Sequence, residues 1–268
     1  MSFSISGKTA IVTGAANGVG LAIGQRFAEA GANVVFADMD EETLTREMGE
    51  AAEKEENIRI FSGDLRKKLT IANLLSATVD AFDRVDILVN ASRQVMRTDA
   101  LDPEDESLAQ LIEQNLMTAF RLSQAVARRM IKQAADEDDD GPVGSIVNLS
   151  SIAARRTRPN LLALSVSTAA LDQMTRSMAV ALAPERIRVN AVAFGSVMSA
   201  SLKGSLKQDD DLRDAIVDST PLHRIAGPGE VCDAVRYLAS DAAGFVTGQI
   251  ITVDGGRTLL DPAAVAAH

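Results

Sequence analysis

The sequence has one cysteine, one tyrosine and no tryptophan among its 268 residues. A lone cysteine, Cys232, excludes a framework of disulfide bonds and is typical of a reducing compartment. No apolar run approaches the ~20 residues that span a bilayer, and the amino-terminal residues lack the charged and apolar regions of a secretory signal. We therefore expect a soluble, cytoplasmic protein with no membrane partner.

Histidine and basic residues are also scarce. The two histidines, His223 and His268, have no cysteine partner nearby in the sequence, so they predict no metal site. Acidic residues outnumber basic ones by 37 to 27, and the formal net charge is −10. This balance argues against nucleic acid as a partner, because phosphates require a basic surface. An acidic run, residues 134–144, is interpreted as a solvated loop.

Short apolar segments alternate with helical patterns along the whole chain. Segments rich in valine and isoleucine, without polar alternation, are typical of strands buried on both faces. They cover residues 9–13, 33–37, 58–62, 86–90, 145–149, 188–192 and 249–253. Helical patterns cover residues 19–30, 41–54, 70–82, 108–132, 161–182 and 229–238. The alternation predicts an α/β fold: a single Rossmann-like domain over residues 1–268, with a doubly wound, seven-stranded parallel sheet.

The first strand and the first helix are joined by the sequence TGAANGVG, residues 13–20. Glycines there permit a tight turn and let backbone N–H groups approach a pyrophosphate, while the helix amino terminus adds a favourable dipole. The place of the pattern between a strand and a helix makes it more specific than glycine spacing alone. It predicts a dinucleotide site with contacts from Gly14, Asn17, Gly18, Val19 and Gly20.

Asp38 stands at the end of the second predicted strand, about 20 residues after the glycine turn. A carboxylate there accepts hydrogen bonds from ribose hydroxyls and repels a 2′-phosphate. We therefore expect NAD as the cofactor, in preference to NADP. The alternative role of Asp38 is a cap for the helix that follows.

From about residue 8 to residue 258 the chain resembles the classical short-chain dehydrogenase/reductase family. The glycine turn matches the family's Thr-Gly-x-x-x-Gly-x-Gly pattern, and the segments NLSS, IRVNAVAFG and ITVDGG match its later strands. The resemblance implies an oxidoreductase that acts on CH–OH groups with NAD(P). It also implies adenine contacts from Asp64 and Leu65, and catalytic roles for Ser151 and Asn115.

The resemblance breaks at two catalytic positions. The family's tyrosine and lysine, four residues apart on one helix, correspond here to Leu164 and Thr168. Leucine has no proton to give, and threonine is a poor acid or base. No realignment restores the pair, because the only tyrosine is Tyr237 and no lysine lies between Lys132 and Lys203. We therefore expect ordinary oxidoreductase activity to be weak or absent.

The nicotinamide half of the implied site also departs from the family. The family's Asn-Asn-Ala-Gly after the fourth strand is here the segment from Asn90 to Arg93, and the proline after the sixth strand is Phe194. Asn90 remains an implied cofactor contact, and Val197 and Ser199 stand where the carboxamide and phosphate contacts fall. Arg93 is interpreted either as a phosphate contact or as an obstruction beside the nicotinamide.

Three functions remain open on the sequence alone. The first is a catalytically impaired protein that still binds a dinucleotide, as a sensor or as a subunit beside an active homologue. The second is an active oxidoreductase on an alcohol or ketone that uses Ser151, Asn115 and ordered water. The third is a scaffold without nucleotide binding. The apolar helix over residues 161–182 further predicts a homo-oligomer, most simply a homotetramer.

Overall fold

The computed structural model describes residues 2–135, 141–207 and 211–261. Its strands are β1 (Thr9–Thr13), β2 (Asn33–Asp38), β3 (Ile58–Ser62), β4 (Ile87–Asn90), β5 (Gly144–Ser151), β6 (Ile187–Phe194) and β7 (Ile250–Val253). All neighbouring strands pair in parallel, and the order across the seven-stranded sheet is β3-β2-β1-β4-β5-β6-β7. The predicted Rossmann-like, seven-stranded parallel sheet is confirmed.

The strand order reverses between β1 and β4. β2 and β3 continue the sheet on one side of this point, and β5, β6 and β7 continue it on the other. In open parallel sheets ligands bind beyond the carboxyl ends of the strands, at the point of reversal. The segments that follow β1, β4, β5 and β6 therefore form the candidate site.

Helices connect the strands on both sides of the sheet. They are α1 (Gly18–Glu29), α2 (Glu41–Lys54), α3 (Lys68–Phe82), α4 (Ser107–Leu111), α5 (Thr118–Ala134), α6 (Leu162–Leu182), α7 (Ala200–Leu206), α8 (Asp211–Asp218) and α9 (Pro228–Ala239). The single helix predicted over residues 108–132 is in fact interrupted, because a π-helical turn, Ile112–Met117, joins α4 to α5. The apolar patterns did not predict α7 and α8, which are short.

Apolar side chains fill both faces of the sheet. Along β1, Ala10 and Val12 pack on the face covered by α1 and α9, whereas Ile11 between them packs on the opposite face, with α3 and α5. Successive strand residues point to opposite faces, so a continuously apolar strand needs helices on both sides. The helices approach closely: a Cβ on Gly24 of α1 would lie 2.3 Å from the ring of Phe36 in β2.

Two strands extend further than the sequence predicts. β5 reaches Ser151 and β6 reaches Phe194, and these two residues are partners in the parallel register. The extension matters because it sets both residues side by side at the carboxyl edge, where the candidate site lies.

Cys232 is buried in α9, and this burial raises the pKa of its thiol to about 11. The side chain is therefore an apolar filler at neutral pH. Residues 136–140, within the predicted acidic loop, lie outside the described residues, as does His268.

None of the helices in the described part of the chain is long and apolar enough to cross a membrane. Within residues 2–135, 141–207 and 211–261, no group of three or more histidine, cysteine, aspartate or glutamate side chains is placed to hold a metal ion.

Candidate functional site

The turn between β1 and α1 is shaped by its glycines. Gly14 and Gly18 adopt left-handed backbone angles, with φ of 62° and 59°. A Cβ on Gly14 would lie 2.7 Å from the Cα of Ser92, and one on Gly20 would lie 2.1 Å from the carbonyl oxygen of Gly14. The turn therefore packs directly on the segment after β4, and a larger residue does not fit at either position.

The amino terminus of α1 is suited to an anionic group. Asn17 is its N-cap residue, but the side chain makes no capping hydrogen bond, and the first helical turn holds no acidic residue. The N–H groups of Gly18, Val19 and Gly20 have no partner inside the helix, as at any helix start, and they carry its positive end. Such an arrangement binds a pyrophosphate.

Asp38 is joined to the glycine turn and does not cap the next helix. Its Oδ2 accepts a hydrogen bond from the N–H of Ala16 at 3.0 Å, and its Oδ1 accepts one from the N–H of Asp40 at 3.1 Å. The cap of α2 is Asp40, which accepts from the N–H of Thr43 at 3.1 Å. An ionised carboxylate offers about four acceptor positions, so Asp38 keeps acceptor capacity for two ribose hydroxyls.

Asp64 and Leu65, which follow β3, lie with Gly14 and Asp38 around one small cleft. The carboxylate of Asp64 forms a bidentate ion pair with Arg66, with Nε–Oδ1 at 2.8 Å and Nη2–Oδ2 at 3.0 Å. This hydrogen-bonded guanidinium holds the pKa of Asp64 below its usual value. The structure thus brings together the residues implied for the adenine half of the site.

Asn90 belongs to a buried polar network at the end of β4. Its amide donates to the hydroxyl of Ser123 at 2.9 Å and to the amide oxygen of Asn148 at 2.8 Å. Asn148 donates in turn to the hydroxyl of Thr175 at 2.9 Å. Both amide hydrogens of Asn90 are therefore engaged inside the protein, and a cofactor contact from this side chain would have to come from its carbonyl oxygen.

Ser151 ends β5 and is buried, with 8% of its surface exposed. Its hydroxyl oxygen accepts a hydrogen bond from the N–H of Ala153 at 3.1 Å. A hydroxyl that accepts from the backbone still carries a hydrogen to donate. Ser151 can therefore orient the oxygen of a ligand at the carboxyl edge of the sheet.

Asn115 lies in the π-helical turn between α4 and α5, a type of turn that often occurs at functional sites. Its Oδ1 accepts from the N–H of Gln94 at 2.8 Å, and its Nδ2 donates to the carbonyl oxygen of Gln94 at 3.0 Å. Both ends of the amide thus bind the segment after β4. The role that these contacts give Asn115 is to hold that segment in place.

Leu164 and Thr168 are buried in α6, with 5% and 2% of their surfaces exposed. A separation of four residues places them on one face of the helix. The Thr168 hydroxyl donates to the carbonyl oxygen of Leu164 at 2.6 Å, and the Ser167 hydroxyl donates to the same oxygen at 3.1 Å. The hydroxyl hydrogen of Thr168 is therefore used within its own helix.

Tyr237 lies near the amino-terminal ends of the strands, away from the carboxyl ends where the candidate site lies. The hydroxyl of Ser145, at the start of β5, donates to the carbonyl oxygen of Leu238 at 3.0 Å, so the end of α9 adjoins the amino end of this strand. Ser151 is six residues further along β5, which is about 20 Å at the usual rise of a strand. Tyr237 therefore cannot act at Ser151.

His223 is an exposed residue in the turn after α8, where its φ is 47° and its N–H donates to the carbonyl oxygen of Thr220 at 2.8 Å. No hydrogen bond in the described part of the chain joins its imidazole to Ser151. His223 is therefore a surface histidine.

Arg93 and Phe194, the two residues of the nicotinamide half that differ from the family pattern, contact each other. The guanidinium of Arg93 lies over the ring of Phe194, 4.3 Å from the ring centroid. Arg93 follows β4 and Phe194 ends β6, so the contact crosses the end of β5, the strand between them. Burial lowers the pKa of Arg93 to about 10.

Val197 and Ser199 lie in the loop after β6. Val197 is buried, and the Ser199 hydroxyl accepts from the N–H of Leu202 at 3.2 Å, at the start of α7. The sequence did not single out Arg257, whose Nη1 donates to the hydroxyl of Ser196 on the same loop at 3.0 Å. No local motif marks Arg257, because its position depends on the pairing of β7 beside β6.

Comparison with known proteins gives consistent matches over nearly the whole chain. A family model described as enoyl-(acyl carrier protein) reductase matches residues 14–258. The 3-oxoacyl-(acyl-carrier-protein) reductase of Thermotoga maritima is 32% identical over 255 residues, which cover 95% of this chain and 99% of that protein.

Two solved structures share the fold. A 7α-hydroxysteroid dehydrogenase in complex with NADH and 7-oxo glycochenodeoxycholic acid has a TM-score of 0.85 and 30% identity, and the match covers 95% of both chains. A gluconate 5-dehydrogenase from Burkholderia cenocepacia, in complex with NADP and tartrate, has a TM-score of 0.85 and 29% identity over 97% of this chain and 98% of that chain. With its glycine turn and its strand order, this chain belongs to the short-chain dehydrogenase/reductase family of oxidoreductases.

Proposed function

We propose that this protein binds a dinucleotide in a single domain, prefers NAD(H) to NADP(H), and has weak or no ordinary oxidoreductase activity. The observation that carries the proposal is a contrast between two parts of the site. Gly14, Asp38 and Asp64 line one cleft, which would form the adenine half. The positions implied for proton transfer hold Leu164 and Thr168 instead of a tyrosine and a lysine.

The residues present fit a dinucleotide. Gly14 and Gly20 have no Cβ, so neighbouring backbone packs closely against them and the turn stays tight. The backbone at the start of α1 can therefore reach a pyrophosphate. Gly18, Val19 and Gly20 would hold the phosphates through their N–H groups.

The preference for NAD(H) rests on the charge of Asp38. Relatives with this fold include one complex with NADH and one with NADP, so membership of the family leaves the choice open. A carboxylate beside the glycine turn accepts from both ribose hydroxyls and repels a 2′-phosphate. Asp38 has the position and the remaining acceptor capacity for this role.

The weak activity follows from the missing proton donor. A bound NAD(H) supplies the hydride chemistry, and the protein has to move a proton to or from the substrate oxygen. Ser151 can orient that oxygen, but Leu164 has no titratable group and the Thr168 hydroxyl is bonded to its own helix. Loss of one positioned acid or base lowers a rate by about 10²–10⁴-fold.

A second candidate function is an oxidoreductase that uses Ser151 and ordered water. The observation that favours it is the Ser151 hydroxyl, which lies at the carboxyl end of β5 with a hydrogen available to donate. Asn115 would support such a relay by holding Gln94, since both ends of its amide bind that residue.

We also propose a homo-oligomer, most simply a homotetramer, with α6 in an interface. Leu162 and Val166 of this helix are partly exposed, by 38% and 43%. They lie one turn apart and so form an apolar patch on the face opposite Leu164. An assembly with an active homologue would use the same patch. A cytoplasmic location remains an expectation from the single cysteine.

The test is a titration of the purified protein with NAD(H) and NADP(H) by calorimetry, followed by a screen for turnover with alcohols and ketones. Saturable NAD(H) binding with at least tenfold weaker NADP(H) binding, and no turnover, is expected. Turnover at rates typical of the family would support the second candidate instead. Absence of binding by either dinucleotide would point to a scaffold.

A further inference from the structure

The guanidinium of Arg93 has no polar partner in the described part of the chain. It lies over the ring of Phe194, 4.3 Å from the ring centroid. Two exposed arginines of this protein are paired with carboxylates, in the pairs Arg66–Asp64 and Arg224–Glu230. Arg93 is partly buried, so its guanidinium is less hydrated than that of an exposed arginine.

Partial burial removes some of the hydration of a charge, and an aromatic ring compensates for only part of that loss. Desolvation is the sole cause that lowers the pKa of Arg93, so no neighbouring charge, positive or negative, contributes appreciably. An anion beside this guanidinium would meet a positive charge with no competing carboxylate.

Both neighbours of Arg93 in the sequence are held in place. The N–H of Ser92 donates to the hydroxyl of Thr13 at 3.1 Å, and Gln94 is bound at both backbone groups by the amide of Asn115. The guanidinium therefore extends from a fixed backbone onto a fixed ring. A preorganised cation binds an anion with little loss of conformational entropy.

The position of the pair identifies where the anion would lie. Phe194 is the register partner of Ser151, so their strands are about 4.8 Å apart at this point. Arg93 reaches Phe194 across the end of the strand that carries Ser151. A ligand whose oxygen accepts from Ser151 would therefore have its neighbouring atoms within reach of the guanidinium.

A second cation, Arg257, follows β7 and is bound to the loop after β6. Arg257 donates to Ser196, two residues after Phe194, and burial lowers its pKa, as does the nearby charge of Arg158. Asp254 offsets part of this charge, but its two carboxylate oxygens already accept from the N–H groups of Gly256 and Thr258. Arg257 is thus a second cation beside the loop after β6, without appreciable charge interaction with Arg93.

We propose that the Arg93–Phe194 pair binds the carboxylate group of a small organic acid, which lies beside Ser151. The planar guanidinium matches a carboxylate through two parallel hydrogen bonds, which an ammonium cannot reproduce. This ligand assignment rests on the proposed dinucleotide function, because the acid would share the cleft with the dinucleotide.

The test compares carboxylates with uncharged amides of the same shape. Lactate with lactamide, and gluconate with gluconamide, are titrated into the full-length protein by calorimetry, with and without saturating NAD(H). We expect at least one carboxylate to bind tenfold or more tightly than its amide. Arg93→Gln should abolish the difference, and Arg93→Lys should retain part of it. Arg46→Gln, which removes an exposed arginine of α2, is the matched control and should change nothing.

Equal affinity of carboxylate and amide in both pairs, measured on the unmodified protein, would overturn the proposal without any variant. It would also be overturned if Arg93→Gln weakened NAD(H) binding tenfold while any carboxylate preference persisted, since the guanidinium would then serve a phosphate of the dinucleotide. Carboxylate selectivity without NAD(H) binding would leave this site standing and refute the proposed function instead.

Discussion

The carboxylate of Asp38 accepts a hydrogen bond from the backbone N–H of Ala16 at 3.0 Å, which joins the end of β2 to the glycine turn. The same carboxylate accepts from the N–H of Asp40, whose own side chain caps α2. Asp38 is therefore fixed beside the turn by two bonds and is spared from capping a helix. The proposed preference for NAD(H) rests on its charge together with this position.

Removing the charge of Asp38 should narrow the preference for NAD(H). Asp38→Asn keeps a carbonyl oxygen for the N–H of Ala16 but no longer repels a 2′-phosphate. We expect NADP(H) affinity to rise by about tenfold or more, given that 1.4 kcal/mol corresponds to a factor of ten. Calorimetric titration of both dinucleotides measures it. Asp40→Asn, the control, should leave the preference unchanged; equal NADP(H) and NAD(H) affinity in the unmodified protein would contradict the assignment.

Substitution of Gly14 should abolish dinucleotide binding and destabilise the fold. Gly14 has a φ of 62°, and a Cβ there would lie within 2.8 Å of the backbone of Ala91 and Ser92. Gly7 is a matched control, because its φ is 76° but no atom lies within 4 Å of an added Cβ. Both alanine variants carry left-handed strain of about 1–2 kcal/mol. Thermal unfolding and NAD(H) titration should therefore show a larger loss for Gly14→Ala, and similar losses would argue against close packing at the turn.

The unmodified protein should show no ordinary turnover of alcohols or ketones, and restoring the pair should raise activity. Leu164→Tyr with Thr168→Lys places a phenol and an ammonium on one face of α6. NADH absorbance measures the rate, and an increase of about 10²-fold or more is expected, as for one regained acid or base.

A variant with four substitutions distinguishes two causes of low activity: the missing proton donor and an obstructed nicotinamide site. Adding Arg93→Gly and Phe194→Pro to the double variant restores the family residues on the nicotinamide side. If the variant with two substitutions is inactive and the variant with all four is active, the Arg93–Phe194 pair blocks the cofactor. High turnover by the unmodified protein would show that the missing tyrosine and lysine are dispensable.

A charge in the apolar patch of α6 should dissociate the oligomer. Val166 is 43% exposed, and Val166→Glu would bury a carboxylate in the proposed interface, which is costly without a partner. Leu101→Glu is the control, since Leu101 is 93% exposed in the loop before α4. Sedimentation at micromolar concentration should show a tetramer for the unmodified protein and the control, and smaller species for Val166→Glu. A monomeric unmodified protein would refute the assembly.

Asp172 should make the protein less stable as the pH rises. It is 5% exposed in α6, and burial raises the pKa of its carboxyl, with partial opposition from Ser150, Arg176 and Arg155. Because the folded-state pKa lies above the unfolded one, the folded protein holds the proton more tightly, and stability falls as the pH rises through the folded-state value.

The amide in Asp172→Asn does not titrate, so the Tm of this variant is the reference for the effect of the carboxyl. The difference in Tm, variant minus unmodified protein, should increase from pH 4 to pH 7. A constant difference over this range would mean that the carboxyl is hydrated or paired in the assembled protein.

The sequence by itself determined the strands, the glycine turn and the absence of a tyrosine and a lysine from residues 133–202. Buried parallel strands are continuous apolar segments, and the turn needs glycine for steric reasons, so both leave a local pattern. The absence of a tyrosine before Tyr237 is a property of composition and needs no structure. The sequence also placed Asp38 near the turn but left its role open.

Only the tertiary structure decided what the site residues touch. Arg93 meets Phe194, and Asn115 holds Gln94, through contacts between segments that are distant along the chain. The sequence patterns likewise gave neither the π-helical turn that carries Asn115 nor the extension of β5 to Ser151. Periodicity reports which face of an element is buried. It does not report which distant side chain that face meets, because that is set by how the elements pack in three dimensions.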